Sequence, residues 1–233
     1  MKTARTLPLL AAVLFAQVLI AQTTAEVEIT AEPLHHLVLE NEYVRAFYVE
    51  VPVGDATLLH RHRHDYIYVT LGNAHVSNEV EGKQPIDVKL SDGDTRLVPG
   101  GFVHVTRNIG EQPFRNVTIE LLKDEDGSQS SKWNDADGDK TFPGGRSKTL
   151  VTKDGARVSE VDLDPGATVP SHHHDNPHLM VAITDLDLRS DVEGMGPMPG
   201  KFKSGSVKWL PGGYTHTLTN TGTTPARFVT VEF

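Results

Sequence analysis

Apolar residues along this chain alternate with polar ones or gather in short β-branched runs. No stretch of useful length keeps the three-to-four spacing of an amphipathic helix. The alternation predicts strands over Val44 to Val53, Tyr66 to Leu71, Ile86 to Leu90, Arg96 to Val98 and Arg115 to Leu122. A second series covers Val158 to Leu163, Leu179 to Ile183, Val207 to Leu210 and Ala226 to Phe233. Glycine-bearing turns separate these runs, among them Ser91-Asp92-Gly93-Asp94, Pro99-Gly100-Gly101 and Pro211-Gly212-Gly213. Many short strands with this punctuation point to an all-β sandwich or barrel.

The two series are one pattern repeated at an offset of 112 residues, without a gap. Gly54, His60, His62, Gly93, Pro99, Gly101, His104 and Asn108 recur as Gly166, His172, His174, Gly205, Pro211, Gly213, His216 and Asn220. In the flanks, Arg45, Val49, Arg115, Val117 and Glu120 fall on Arg157, Val161, Arg227, Val229 and Glu232. The chain therefore reads as a tandem duplication, with units at 26–123 and 148–233. Between them, residues 124–147 are rich in Asp, Gly, Ser and Lys and read as a solvated linker. The acidic run Asn134 to Asp139 lacks the glycine position and closing glutamate of a calcium loop.

Residues 1–25 form a separate pattern. Lys2 and Arg5 precede an apolar run from Leu7 to Ile20, followed by small residues near Ala21 and Ala25, which is the layout of a signal peptide. The run is short for a bilayer span, so the expectation is a periplasmic or secreted protein with no membrane span after cleavage. The chain has no cysteine, so disulfides and thiolate ligands are excluded, and any metal must be held by nitrogen and oxygen. Without residues 1–25 there are 20 basic side chains against 31 acidic, a net charge of −11. That surface repels nucleic acid and anionic lipid and leaves a small molecule as the expected partner, with a homodimer also allowed.

The histidines carry the candidate chemistry. Residues two apart on a strand face the same side, so His60 and His62 can converge, as can His172 and His174. A third histidine arrives 42 residues after the second in each copy, behind a Pro-x-Gly turn. Three neutral imidazoles at one point form a site for a divalent transition metal such as Fe, Mn, Ni, Cu or Zn. His64 shares the parity of the first pair, His173 faces the other way, and His35, His36 and His75 belong to no repeated pattern.

Both copies resemble the cupin superfamily, whose first motif runs Gly-x5-His-x-His-x3-4-Glu-x6-Gly and whose second runs Gly-x5-Pro-x-Gly-x2-His-x3-Asn. The second motif is complete twice, at Gly93 to Asn108 and at Gly205 to Asn220. The first retains its glycine and paired histidines in both copies. The resemblance implies two tandem jelly-roll (double-stranded β-helix) barrels, a bicupin, with metal held by His60, His62 and His104 in one and by His172, His174 and His216 in the other. Members with three-histidine sites include dioxygenases acting on small organic molecules; related folds run lyase and isomerase reactions, and a non-catalytic binding module is the alternative.

The family's glutamate is missing from both copies. Its column holds Tyr66 in the first, with Asp65 beside it, and His178 in the second. Tyr66 can ligate as phenolate, move a proton or fill space, whereas His178 can serve as a fourth ligand or reach substrate. Loss of the glutamate implies a site that keeps the ion's positive charge. On this reading the first copy, with an open position, is the better candidate for chemistry. The second, with four histidines, is the better candidate for closed, tight metal binding.

Overall fold

The computed structural model describes residues 25–122, 138–153 and 155–233; all but the last residue of the expected signal peptide and most of the expected linker lie outside them. The first copy contributes β1 (Val27–Glu28), a 3-10 turn at Ile29–Ala31, β2 (His35–Glu40), β3 (Val44–Val51), β4 (His60–His62), β5 (Tyr66–Leu71), β6 (Ala74–Val80), β7 (Ile86–Leu90), β8 (Thr95–Val98), β9 (Phe102–Asn108) and β10 (Phe114–Leu121). The second contributes β11 (Lys140–Phe142), β12 (Gly145–Lys153), β13 (Ala156–Leu163), β14 (Thr168–His174), β15 (His178–Ala182), β16 (Leu186–Val192), β17 (Gly196–Phe202), β18 (Val207–Leu210), β19 (Tyr214–Asn220) and β20 (Ala226–Glu232).

Each copy closes from two sheets. Strand orders are β1-β4-β9-β6-β7 and β2-β3-β10-β5-β8 in the first, and β14-β19-β16-β17 and β11-β12-β13-β20-β15-β18 in the second. This is the all-β, double jelly-roll architecture expected. Residues 140–147 are a correction to the linker boundary: they form β11 and the start of β12, a hairpin that pairs antiparallel and continues the larger sheet. Polar composition hid this hairpin, because its side chains are exposed or half-buried and only Phe142 among them packs against the core. Strand β17, with Pro197 and Pro199, was not anticipated either; it is an outer strand, the place in a sheet where proline is tolerated.

The cores explain why β5 and β15 are apolar on both faces. One cluster fills the first barrel with Phe47, Val49, Val51, Val76, Leu90 and Phe114. Another fills the second with Leu163, Met180, Leu188 and Phe228 among others. A third cluster lies between the barrels and takes seven residues from each, with every pair related by the repeat offset. Val44 and Ala156, Ile67 and Leu179, Val69 and Val181, and Ile119 and Val231 are examples. The β2-β3-β10-β5-β8 sheet of the first barrel therefore packs face to face with the β11-β12-β13-β20-β15-β18 sheet of the second, one strand parity turned inward and the other toward the seam.

Polar groups lock the same seam. Arg227 places Nη1 2.8 Å from Asp92 Oδ2 in the other copy, and Lys153 pairs with Asp65. Two of the repeated glycines are required here: Gly93 and Gly205 have φ of 85° and 83°. A Cβ on Gly205 would approach the Tyr48 ring of the other copy to 2.8 Å, and one on Gly93 would collide with the Arg227 guanidinium.

Candidate metal centres

The sheet brings the three repeated histidines together in each copy. His60 stands directly across from His104 on the neighbouring strand, and His172 stands across from His216, so two strands deliver all three rings to one point. In the second copy the Nε2 atoms of His172, His174 and His216 form a triangle with sides of 3.1, 3.2 and 3.1 Å. At metal–nitrogen distances near 2.1 Å, ligands at right angles stand about 3.0 Å apart and tetrahedral ones about 3.4 Å. The triangle therefore has the size of three ligands on one face of a metal ion.

The outer nitrogens show that two of the three, on His172 and His174, are bare lone pairs. His172 Nδ1 donates to the Pro170 carbonyl at 2.8 Å, and His174 Nδ1 donates to Glu232 Oε1 at 2.9 Å. With those protons spoken for, the two Nε2 atoms have none to share. His216 Nδ1 is held by Ser190 Oγ at 2.7 Å. The lone pairs of His172 and His174, 3.1 Å apart, repel unless a proton or cation sits between them, and with His216 this donor set fits a divalent ion. Burial, reinforced by the neighbouring imidazoles, lowers the His216 pKa to about 3, so the ring is neutral near pH 7 and able to ligate.

The first copy repeats the strand arrangement with one addition and one difference: the three histidines whose ligand atoms gather there are His35, His60 and His62, and His104 stands beside them, its ring centroid 4.5 Å from that of His60 and 5.3 Å from that of His62. His60 Nδ1 is bound to the Leu58 carbonyl at 2.9 Å, and His104 Nδ1 to Asn78 Oδ1 at 2.7 Å. Both Nε2 atoms are buried without a hydrogen-bond partner. Burial, with the neighbouring imidazoles, lowers the pKa of His60 to about 3 and of His104 to about 2. The addition is His35, which joins His60 and His62 in a group whose candidate ligand atoms lie within 4.8 Å of one another. Its ring centroid is 4.8 Å from that of His60.

Tyr66 and His178, from the column of the missing glutamate, do the same thing in both copies. Tyr66 stacks on His62 with centroids 4.0 Å apart and planes 19° from parallel; His178 stacks on His174 at 4.0 Å and 15°. Stacking sets His178 beside the triad, and the three-histidine group of the second copy does not include it. Burial pushes the Tyr66 phenol well above its ordinary pKa and lowers that of His178 to about 4, so both rings are neutral. His64 lies beyond the end of β4, which removes the parity it would share with the ligand pair. Asp65 accepts from the Gly100 amide at 2.8 Å and pairs with Lys153, so it ties chain segments together. His173 faces away from the site and meets Thr215 Oγ1 at 2.9 Å.

A carboxylate is nonetheless present behind each centre. Glu120 and Glu232 are the cross-strand partners of Tyr66 and His178, one strand over from the family's glutamate column. Burial works against the Glu232 charge, but the hydrogen bond from His174 and the adjacent Arg157 outweigh it and take its pKa down to about 2. The three-histidine group itself holds no carboxylate, and the negative charge of Glu232 acts on it through the His174 imidazole. Glu120 is farther from its histidine, with Oε1 3.7 Å from His62 Nδ1, and pairs with Arg45. The repeat carried this signal, since Arg45/Arg157 and Glu120/Glu232 recur in register; the missing step was that a neighbouring strand can reach the same imidazole.

The surroundings of the two centres differ most. A cavity of about 760 Å³ opens onto the second triad, walled by Met180, Leu188, Phe202, Leu218 and Phe228 together with His178 and Tyr214. The Tyr214 ring stands 5.0 Å from His216, and burial with the nearby Glu232 raises its pKa to about 12. Tyr214 aligns with Phe102, so the repeat alone marked an aromatic there and not a hydroxyl of the chamber. The cavity thus lies at the second centre, where the sequence led us to expect a closed site.

No family model and no curated protein matches the chain. Solved structures of Bacillus subtilis oxalate decarboxylase do match. One, from work on the Mn(II) centres of that enzyme, is 14% identical, with a TM-score of 0.60 over 82% of this chain and 69% of that one. A second, concerning substrate binding and a switch of reaction specificity, has the same identity and TM-score and covers 85% and 74%. A third, determined at pH 4.6, is 15% identical, with a TM-score of 0.58 over 82% and 68%. Among the described residues, no helix is long and apolar enough to cross a membrane. With its two face-to-face barrels and a histidine centre suited to a divalent metal in each, the chain has the cupin superfamily fold in its tandem, bicupin form.

Proposed function

We propose that the second barrel is the reaction chamber of a metal-dependent oxidoreductase of dioxygenase type, and that the first holds a metal for structural purposes. The single observation behind this is the triangle of Nε2 atoms facing a largely apolar cavity of about 760 Å³. The substrate suited to those walls has an apolar body and one oxygen able to become an enolate or phenolate. A divalent ion held by His172, His174 and His216 supplies Lewis acidity toward that oxygen and, for a redox-active metal, a path for electrons to dioxygen. His178 provides a neutral imidazole at the cavity wall beside the triad, suited to take the substrate's proton. Tyr214 keeps its hydroxyl protonated and can donate to an oxygen that gains charge. Tyr66, stacked in the first barrel, packs and does not take part.

Metal analysis and oxygen uptake test this reading on wild type and on His216→Ala and His104→Ala. Each substitution should remove one metal equivalent, and His216→Ala should also cut turnover at least about a hundredfold, since even outer partners of metal ligands are worth about 10- to 100-fold. The panel is flavonols, diketones and thiols, with oxalate added because the structural neighbours are oxalate decarboxylases. Metal loading without oxygen uptake on any of them would sink the oxygenase reading: carbon dioxide from oxalate would make the second barrel a lyase, and silence throughout a binding module. We infer in addition that the protein is exported, supported by Lys2, Arg5 and the apolar run from Leu7 to Ile20. An intact mass of extracytoplasmic protein starting after Ala21 or Ala25 is expected, and an uncleaved cytoplasmic product would refute it.

A further inference from the structure

We propose that His35, aimed by Glu32, is a protein ligand of the metal in the first barrel, making that centre a closed four-histidine site. The inference rests on the reading that the histidine clusters hold metal and adds a ligand that the duplicated motif does not contain.

Segment 27–35 of the first copy has no counterpart of the same form in the second. Strand β1 runs parallel beside β4, with Val27 across from His60, and the turn at Ile29–Ala31 leads directly to Glu32. Glu32 is buried and accepts three hydrogen bonds: from Leu34 N at 2.8 Å, Leu58 N at 3.1 Å and His35 Nδ1 at 2.6 Å. The last one holds the proton on Nδ1 and leaves Nε2 as the free lone pair. The His35 side chain is 5% exposed, and its candidate ligand atom falls within 4.8 Å of those of His60 and His62. Leu58 links the parts, because its amide serves Glu32 while its carbonyl orients His60.

A buried carboxylate serving a histidine in this way is the usual support for a metal ligand: it fixes the ring's tautomer and direction and raises the basicity of the free nitrogen. The alternative, a core histidine satisfied by Glu32 alone, leaves the buried Nε2 atoms of His60 and His104 unpartnered around it. Such a cluster costs stability unless a cation takes the lone pairs. In the second copy the repeat offset places Gly144 where Glu32 stands and Ser147 where His35 stands. Strand β11 there folds back on β12, β14 is left as the outer strand of its sheet, and Ser147 lines the cavity. The same three repeated histidines therefore meet a fourth imidazole in one barrel and open space in the other.

The test uses the full mature chain carrying His216→Ala, which confines metal to the first barrel, with Cu(II) as the probe. Nitrogen hyperfine couplings should count four imidazoles, falling to three in the His216→Ala/His35→Gln double variant, where glutamine still offers Glu32 a donor. Release of metal to a chelator should accelerate at least about tenfold on that change, the low end of what an outer partner of a ligand contributes. Three nitrogens in the His216→Ala protein overturns the inference whether or not the double variant folds. Absence of metal from the first barrel overturns it together with the metal reading of that copy, and the two failures are told apart by stoichiometry.

Discussion

The two barrels carry the same three histidines on the same strands, yet one centre is packed shut and the other opens on a chamber. The difference comes from what stands opposite the triad. In the first barrel a buried Glu32–His35 pair and β1 close it; in the second a serine and a retracted hairpin leave it open. Duplication conserves what backbone geometry demands, namely turn glycines and cross-strand histidine pairs. Divergence collects in the segment leading into each barrel, where no repeated residue constrains it.

The broadest way to break the comparison is to cut where the copies are alike. Ile67 and Leu179 are equivalent, fully buried seam residues, and truncating either to alanine should cost about 2–5 kcal/mol. Equal losses in denaturant unfolding would show the seam to be symmetric where the sites are not. A loss confined to one barrel would show that the copies unfold independently.

A smaller effect is expected at the carboxylates behind the centres. Glu232→Gln should weaken metal binding in the second barrel by about 10- to 100-fold, as removal of such a partner commonly does. Glu120→Gln should do less, because Glu120 Oε1 lies 3.7 Å from its histidine whereas Glu232 Oε1 lies at 2.9 Å. Titration of each variant with a competing chelator checks the order, and the reverse order would break the argument.

The smallest expected difference between the barrels is in acid. His60, His104, His178 and His216 have lowered folded-state pKa values of about 3, 2, 4 and 3, so the unfolded chain binds protons first. Metal-free protein should therefore lose stability as pH falls through 6.5, the ordinary value, with the loss complete only below the folded values. Glu232 adds stability above its ordinary value of 4.5 that drains away toward about 2. Denaturation of metal-free His104→Gln and His216→Gln between pH 7 and 4 should give shallower slopes than wild type, slightly more so for His104→Gln. Unchanged slopes would mean that these rings are not held neutral by burial.

Much of the fold was legible because its causes are local. The glycines at 54, 93, 101, 166, 205 and 213 all adopt positive φ, and period-two patterning marked the strands that bury a face. Strands on the outside of a barrel were harder to see: β11, β12 and β17 are short of buried apolar residues and take their place from pairing with a neighbour. The site divided along the same line. The six repeated histidines could be found from spacing, whereas His35 has no repeat partner and Glu120 and Glu232 act across a ladder that the sequence does not display.

The sequence by itself determined the duplication, the β architecture and the three histidines of each copy, because a strand's two-residue period and a turn's need for glycine are properties of the local chain. Only the tertiary structure decided which centre is open, because closure depends on Glu32, His35 and β1 crossing to a segment 25 to 33 residues away in the chain. Long-range packing of that kind leaves no periodic trace, and it separates two equal motifs into a closed centre and a chamber.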